Sequence, residues 1–308
     1  MAKRNEAAEA AQTAKRVMMM NPSTKGGIAK TMSSMLITDY FRTREDELAV
    51  YDANESVEGL HVTYGQKDAD GELLEDQNPR VGVYQYNIRR PEQRKVLLDF
   101  CAFPYRRAIT DLPGDCFRDL AGVADNGEEM TFLCAYFEKY GVDMVLFALI
   151  NHLKETAVAL TDIMNKFQGA TVIPIINLQY ASTILPDGSP LEADYPFYFG
   201  HHNRKGEIIG GNSRRACLEK NGGIEMYMPS IPSGAFSKFR ASGKTLAEAT
   251  RLDNMDMSIA DIAHIERCRQ GWAKEMRKLS GILGFKAEEP AGEPAKPLSR
   301  VKLSKLGC

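Results

Sequence analysis

The sequence predicts an α/β fold with a mainly parallel sheet and helices on both faces. Three observations carry this. Apolar, strand-like runs alternate with helix-patterned segments along most of the chain. Two of these runs, 142–149 and 170–178, are almost continuously apolar, as strands covered on both faces must be. A glycine-bearing loop, Lys25-Gly26-Gly27-Ile28-Ala29-Lys30-Thr31, stands between the first apolar run and the first helical pattern.

The elements follow in order. Residues 1–13 read as a polar helical arm, and 14–20, with Val17-Met18-Met19-Met20, as the first strand. Met32, Met35, Leu36 and Tyr40 fall near helical spacing and predict a helix over 30–41. Residues 47–51 form a short strand ending at Asp52, and 64–80, rich in Gly and Asp, a surface loop. A helix over 91–100 precedes a strand at 107–110 that runs into Asp111-Leu112-Pro113-Gly114. Helical periodicity over 128–140 stops at Gly141, before the strand 142–149. The next helix, 155–167, is halted by Gly169 and leads into the strand 170–178. A shorter strand at 224–228 ends at Pro229, and helices follow at 246–251 and 259–283. From residue 286 on, Pro290, Pro294 and Pro297 among charges read as a disordered tail. The expected organisation is one domain over 14–285, with an insertion near 180–222.

Bulk composition narrows the function classes. The chain has 308 residues, 44% apolar and 26% charged, as an ordinary globular protein does. Its net charge of −2 gives no bulk attraction to nucleic acid or an acidic membrane. No apolar run approaches the roughly 20 residues that span a bilayer. The first residues lack the apolar core of a secretory signal, so a cytoplasmic location is expected. The six cysteines show no C-x-x-C pair and read as scattered reduced thiols. His201-His202, in a polar stretch, is the nearest thing to a metal-ligand spacing among the histidines, and a loop pair is the plainer reading.

Parallel sheets bind ligands beyond the carboxyl ends of their strands. Four chemically able groups fall at such ends: the Lys30 loop, Asp52, Asp111 and Asn177. A strand, a glycine loop, a lysine with a hydroxyl and then a helix is the context of a phosphate cradle. Backbone N–H groups face the anion, Lys30 adds a charge and Thr31 offers a hydroxyl to Mg²⁺. Asp111 can hold Mg²⁺ through water, opposite Thr31, and Gly114 lets the backbone approach a terminal phosphate. Asp52 either positions Mg²⁺ or a water, or caps a helix or turn. Asn177 either pairs with the edge of a base or closes a strand-end turn.

Lys25 is surplus to a simple cradle. Lys25-Gly26-Gly27-Ile28-Ala29-Lys30-Thr31 resembles the deviant Walker A motif, K-G-G-x-x-K-[ST], of the ParA/MinD group of P-loop ATPases. Asp52-Ala53-Asn54 resembles that group's D-x-D stretch, Asp111-Leu112-Pro113-Gly114 its Walker B stretch, and the strand ending at Asn177 its adenine-contacting strand. The order agrees over about residues 14–180. The resemblance implies ATP and Mg²⁺ as cofactors, with Gly26, Gly27, Ile28, Ala29, Lys30, Thr31, Gly114 and Asn177 around the nucleotide. It implies Thr31 and Asp111 at the metal, and Lys25, Lys30 and Asp52 in catalysis, with Lys25 reaching across a nucleotide-dependent homodimer. Ala29 stands at the family's glycine and Asn54 at its second aspartate, which implies slow turnover.

By the same resemblance the partners would be a second copy of the chain, a small DNA-binding adaptor and non-specific DNA, with nucleoid association and a role in plasmid partition, transfer or stability. Basic groups for DNA are Arg204, Lys205, Arg214, Arg215, Arg267, Arg269, Lys274, Arg277 and Lys278, although interspersed Glu266 and Glu275 also fit a solvated helix face. Two other classes stay open: a P-loop metabolic enzyme of kinase or amidoligase type, and a scaffold that has lost its nucleotide.

Overall fold

In a computed structural model of the chain, which describes residues 15–23, 27, 29–55, 59–124 and 130–287, the first strand, β1 (Arg16–Met20), divides the interior in two. Val17 and Met19 pack into one core, Met18 and Met20 into the other. Period-two alternation with an apolar residue at every position is what a strand covered on both faces requires.

Further strands are β2 (Ala49–Asp52), β3 (Tyr84–Gln85), β4 (Arg107–Asp111), β5 (Val142–Ile150) and β6 (Thr171–Asn177). β7 (His201–His202) and β8 (Ile208–Ile209) form a separate antiparallel hairpin, and β9 (Met226–Met228) is the last strand. The main sheet runs β3-β2-β4-β1-β5-β6-β9, and every pairing in it is parallel. The expected fold class is the observed one.

One face of the sheet is covered by the helices Lys30–Arg42, Ser233–Ser242, Leu246–Ala249 and Ile259–Arg277, which bring Leu36, Phe239, Leu246 and Trp272 into its core. The other carries Phe117–Ala121, Met130–Lys139, Lys154–Lys166 and Asn212–Asn221, with Leu120, Phe137, Leu160 and Cys217 buried. Gly141, at φ 66°, turns the chain from helix into β5 as its position predicts. The Ile259–Arg277 helix starts at a capping box: the Ser258 hydroxyl accepts from the Asp261 N–H, and the Asp261 carboxylate accepts from the Ser258 N–H.

Several expected elements differ. Over 91–100 only Val96–Asp99 is α-helical, because Asn87 and Arg90 carbonyls close tight turns ahead of it. The helix expected over 246–251 ends at Ala249. That expected over 259–283 breaks after Arg277 and resumes as Ser280–Leu283, where Lys278 and Leu279 N–H groups bond only three residues back. The segment 180–222, read as an insertion, includes the helix Asn212–Asn221, which packs beside β6 and links it to β9. The hairpin β7–β8 precedes that helix. The arm 1–13 and residues 288–308 of the tail lie outside the described residues. No helix among the described residues is long and apolar enough to cross a membrane.

Candidate functional site

β1 pairs with β4 on one side and β5 on the other, so the winding of the sheet reverses at its carboxyl end, the place where open parallel sheets bind ligands. Five polar side chains sit there, all nearly or fully buried: Asn21 just past β1, Asp52 ending β2, Asp111 ending β4, Asn151 just past β5 and Asn177 ending β6.

Asp111 is the hub. Its Oδ2 accepts the Thr31 hydroxyl at 2.7 Å, and its Oδ1 accepts Asn21 Nδ2 at 2.8 Å and Ser34 Oγ at 2.9 Å. Because Thr31 donates its proton to the carboxylate, the lone pairs of its oxygen are left for a cation. A buried carboxylate beside a hydroxyl oxygen is a donor set that suits a hard divalent ion. Burial pushes the Asp111 carboxyl above the usual range, while the bonds from Asn21, Thr31 and Ser34 and the charge of Lys30 pull it back.

Lys30 opens the helix Lys30–Arg42, with only 8% of its surface exposed. Burial lowers its ammonium pKa, and the charges of Asp111 and then Cys116 oppose that shift. Ala29, the residue before it, has φ 70°, and Gly27 has φ 75°. Both occupy the left-handed region, so the backbone at 29 keeps the shape a glycine favours even though a side chain is present. The first N–H groups of a helix have no partner within it, so the start of this helix at Lys30 is a favourable place for an anion. Lys25, Gly26 and Ile28 lie outside the described residues.

Asp52 does what its plainer reading expected. Its Oδ1 closes a turn by accepting Asn54 N–H at 3.0 Å, and its Oδ2 accepts His61 N–H at 3.1 Å at the start of the helix Leu60–Tyr64. It also faces the hub, since Asp52 and Asp111 are register partners on β2 and β4. Its carboxyl is pushed up to about 7, first by burial and then by the charge of Asp111, against the bonds from backbone N–H groups.

Asn177 likewise closes its strand end: its Oδ1 accepts Gln179 N–H at 3.1 Å, and its carbonyl accepts the Tyr195 hydroxyl at 2.7 Å. It nonetheless lines a mostly apolar slot of about 190 Å³ with Ala29, Met32, Met228, Ile231 and Phe236, so the slot adjoins the loop. Gly114 stands three residues past Asp111, near Ser23. The Asp115 N–H bonds Ser23 O at 3.0 Å, and Gly114 O accepts Arg89 Nη2 at 3.0 Å.

The structure therefore brings Lys30, Thr31, Asp111 and Asp52 into one cluster, with Ala29 and Asn177 on the slot beside it and Gly114 three residues past Asp111. Sequence reasoning missed Asn21 and Ser34, both bonded to Asp111. Asn21 had a signal, as a polar residue at the end of an apolar strand, and Ser34 sits one helical turn past Lys30.

Three of the basic residues assigned to DNA are occupied within the chain. Arg214 holds Glu225 through two bonds of 3.0 and 2.9 Å, Arg269 holds buried Asp39 at 2.8 Å, and Lys278 holds Glu275 at 2.7 Å. They are structural ion pairs and leave any such surface to Arg204, Lys205, Arg215, Arg267, Lys274 and Arg277. His201 and His202, adjacent on β7, alternate across the strand and cannot share an ion. Among the described residues no group of three or more His, Cys, Asp or Glu gathers to hold a metal.

No family model matches the chain, and no curated protein sequence does. Solved structures do match. The septum site-determining protein MinD complexed with Mg-ADP from Pyrococcus horikoshii OT3 is 14% identical at a TM-score of 0.46, over 87% of this chain and 98% of that one. The MinC:MinD cell division protein complex from Aquifex aeolicus is 13% identical at 0.45, over 86% and 96%. A nucleotide-binding protein in complex with ADP from Archaeoglobus fulgidus is 15% identical at 0.39, over 77% and 90%. The likeness is one of fold, and at these scores the site rests on its own geometry.

Proposed function

We propose that the chain is a Mg²⁺-dependent, ATP-binding P-loop ATPase of slow turnover that works as a dimerising switch, as the ParA/MinD group does. The single observation that carries this reading is the 2.7 Å bond from Thr31 to buried Asp111 at the mouth of β1, directly beside Lys30 at a helix N-terminus. Lys30 and the loop N–H groups would hold the phosphates, and Thr31 and Asp111 the Mg²⁺, which when bound neutralises charge on the phosphates. The apolar slot beside Asn177 would take the base. Slow turnover follows from Asp52, whose two oxygens are engaged by backbone N–H groups, and from Asn54, which is no carboxylate. A role in plasmid partition, transfer or stability, a small DNA-binding adaptor, and cytoplasmic, nucleoid-associated placement belong to the same reading.

Calorimetric titration with ATP and Mg²⁺ tests it. Lys30→Ala should weaken ATP about 10–100-fold by removing one charge-assisted contact. Equal affinity in wild type and variant would sink the assignment of the loop.

A second reading, a phosphoryl-transfer enzyme, draws on a groove of about 690 Å³ lined by His61, Gln66, Glu75, Asp76, Tyr84 and Gln85. His61 links that groove to Asp52 through its backbone N–H. Dimerisation on ATP favours the switch; turnover that depends on a second small molecule favours the enzyme.

A further inference from the structure

We propose that the groove beside β3 is a docking site for an extended, Lys- or Arg-bearing polypeptide segment of a partner protein, which pairs with the free edge of the sheet. Every group involved lies between residues 61 and 86, so the site stands or falls independently of the nucleotide reading.

β3 is the end strand of the main sheet and pairs with β2 alone. The Tyr86 N–H donates to Asp52 O at 2.9 Å, so the parallel ladder turns the N–H and carbonyl of the preceding Gln85 away from β2. Among the described residues no loop or turn bond takes up either group. An unpaired donor and acceptor on a strand edge is a template on which an extended peptide adds as a further strand.

This edge borders a groove of about 690 Å³, lined by Tyr84 and Gln85 together with His61, Gln66 and the segment 73–78. Its volume is that of a ligand site. One side chain braces the segment: Gln77 Nε2 donates to Gln66 O at 2.9 Å and to Leu74 O at 2.8 Å, and Gln77 Oε1 accepts the Gln66 N–H at 2.7 Å. The groove is therefore formed before anything fills it, which lowers the cost of binding.

Charge selects the occupant. Glu75 and Asp76 line the groove and are exposed, and no lysine or arginine among the described residues lines it with them. Asp68, Asp70 and Glu72 precede them, so the segment 68–76 carries five carboxylates and no basic side chain. Such a field attracts a basic segment and repels nucleic acid or an acidic membrane. Leu74 and Tyr84, both partly exposed, add apolar contact in the same groove. A strand sends alternate side chains to opposite sides, so one extended segment can meet the carboxylates and the apolar pair while its backbone pairs with Gln85. A peptide seated here fills the groove that the enzyme reading gives to a second small molecule.

Fluorescence anisotropy without nucleotide tests the assignment, using labelled peptides of about eight residues, one of alternating Lys and Val and one of alternating Glu and Val. The proteins are wild type, Glu75→Gln/Asp76→Asn, Gln85→Pro, and Glu192→Gln as the control for loss of an exposed charge in the segment after β6. The basic peptide should bind wild type and Glu192→Gln alike, and the acidic one neither. The double variant should bind it about fivefold more weakly, as two exposed charge pairs allow. Gln85→Pro removes the outward N–H and spares the bonds to β2, and should also weaken the peptide about fivefold. A basic peptide N-methylated at alternate residues gives the same readout on unaltered protein, since it cannot donate to the Gln85 carbonyl. No binding to wild type, equal binding of the acidic peptide, or affinity unchanged in the double variant overturns the assignment. So does a loss confined to the charge variant, which marks a charged surface without strand addition, and so does spermidine that displaces the peptide as well as unlabelled peptide does.

Discussion

Asp52 shows what a single buried carboxylate costs and where that cost falls on the pH axis. Its ordinary pKa of 3.8 rises to about 7 in the fold, so the folded chain holds a proton that the unfolded chain has lost. Stability from this group is therefore lost as pH rises between those two values, and the ionised form carries the full penalty above about 7. Asp52→Asn keeps an acceptor for one backbone N–H and removes the charge. The variant should gain on wild type as pH rises through that window, by on the order of 1 kcal/mol net at the upper end. Urea unfolding at a series of pH values checks it, and a difference that does not change with pH would show that the penalty is not electrostatic. Ala29 is a second residue-scale feature: a non-glycine in the left-handed region, directly before Lys30, holds backbone strain there.

At the scale of elements, the first and the last long helices are tied through charge. Asp39, 5% exposed on the helix Lys30–Arg42, accepts Arg269 Nε at 2.8 Å from the helix Ile259–Arg277, and its other oxygen caps Ala247 N–H at 2.9 Å. Removing one partner of such a pair strands the other in the interior. Arg269→Ala should destabilise the fold by about 3 kcal/mol, whereas Arg267→Ala, an exposed neighbour, should change it by less than about 0.5 kcal/mol. Denaturation midpoints of the two variants decide, and similar values would mean that the pair contributes nothing beyond its surface. The sequence could not separate these two arginines, because both sit in a run of basic and acidic residues with no sign of which faces Asp39, 230 positions away. Buried strands and glycine-stopped helices were legible, since burial on both faces leaves an unbroken apolar run. Short elements such as Tyr84–Gln85 and Phe117–Ala121 were not, being set by tertiary contacts rather than by periodicity.

The whole molecule places its chemistry on one edge because every main strand runs the same way. That is why Asp52, Asp111 and Asn177 at strand ends, and Lys30 and Thr31 in the loop and helix start after the first strand, are legible in the sequence as neighbours on one edge. The hub itself, Asn21 and Ser34 on Asp111, needed three dimensions, since these bonds span 90 and 77 positions. The same edge bears on assembly. Lys25, the second lysine of the glycine loop, is surplus to one site. If a second copy supplies Lys25 to the phosphates, ATP with Mg²⁺ should double the mass of 34.3 kDa seen by light scattering after size exclusion, and ADP should not. Lys25→Ala should still bind ATP, because Lys30 remains, yet stay at the mass of one chain. Wild type that binds ATP with no change of mass would remove the switch and leave a monomeric nucleotide-binding protein.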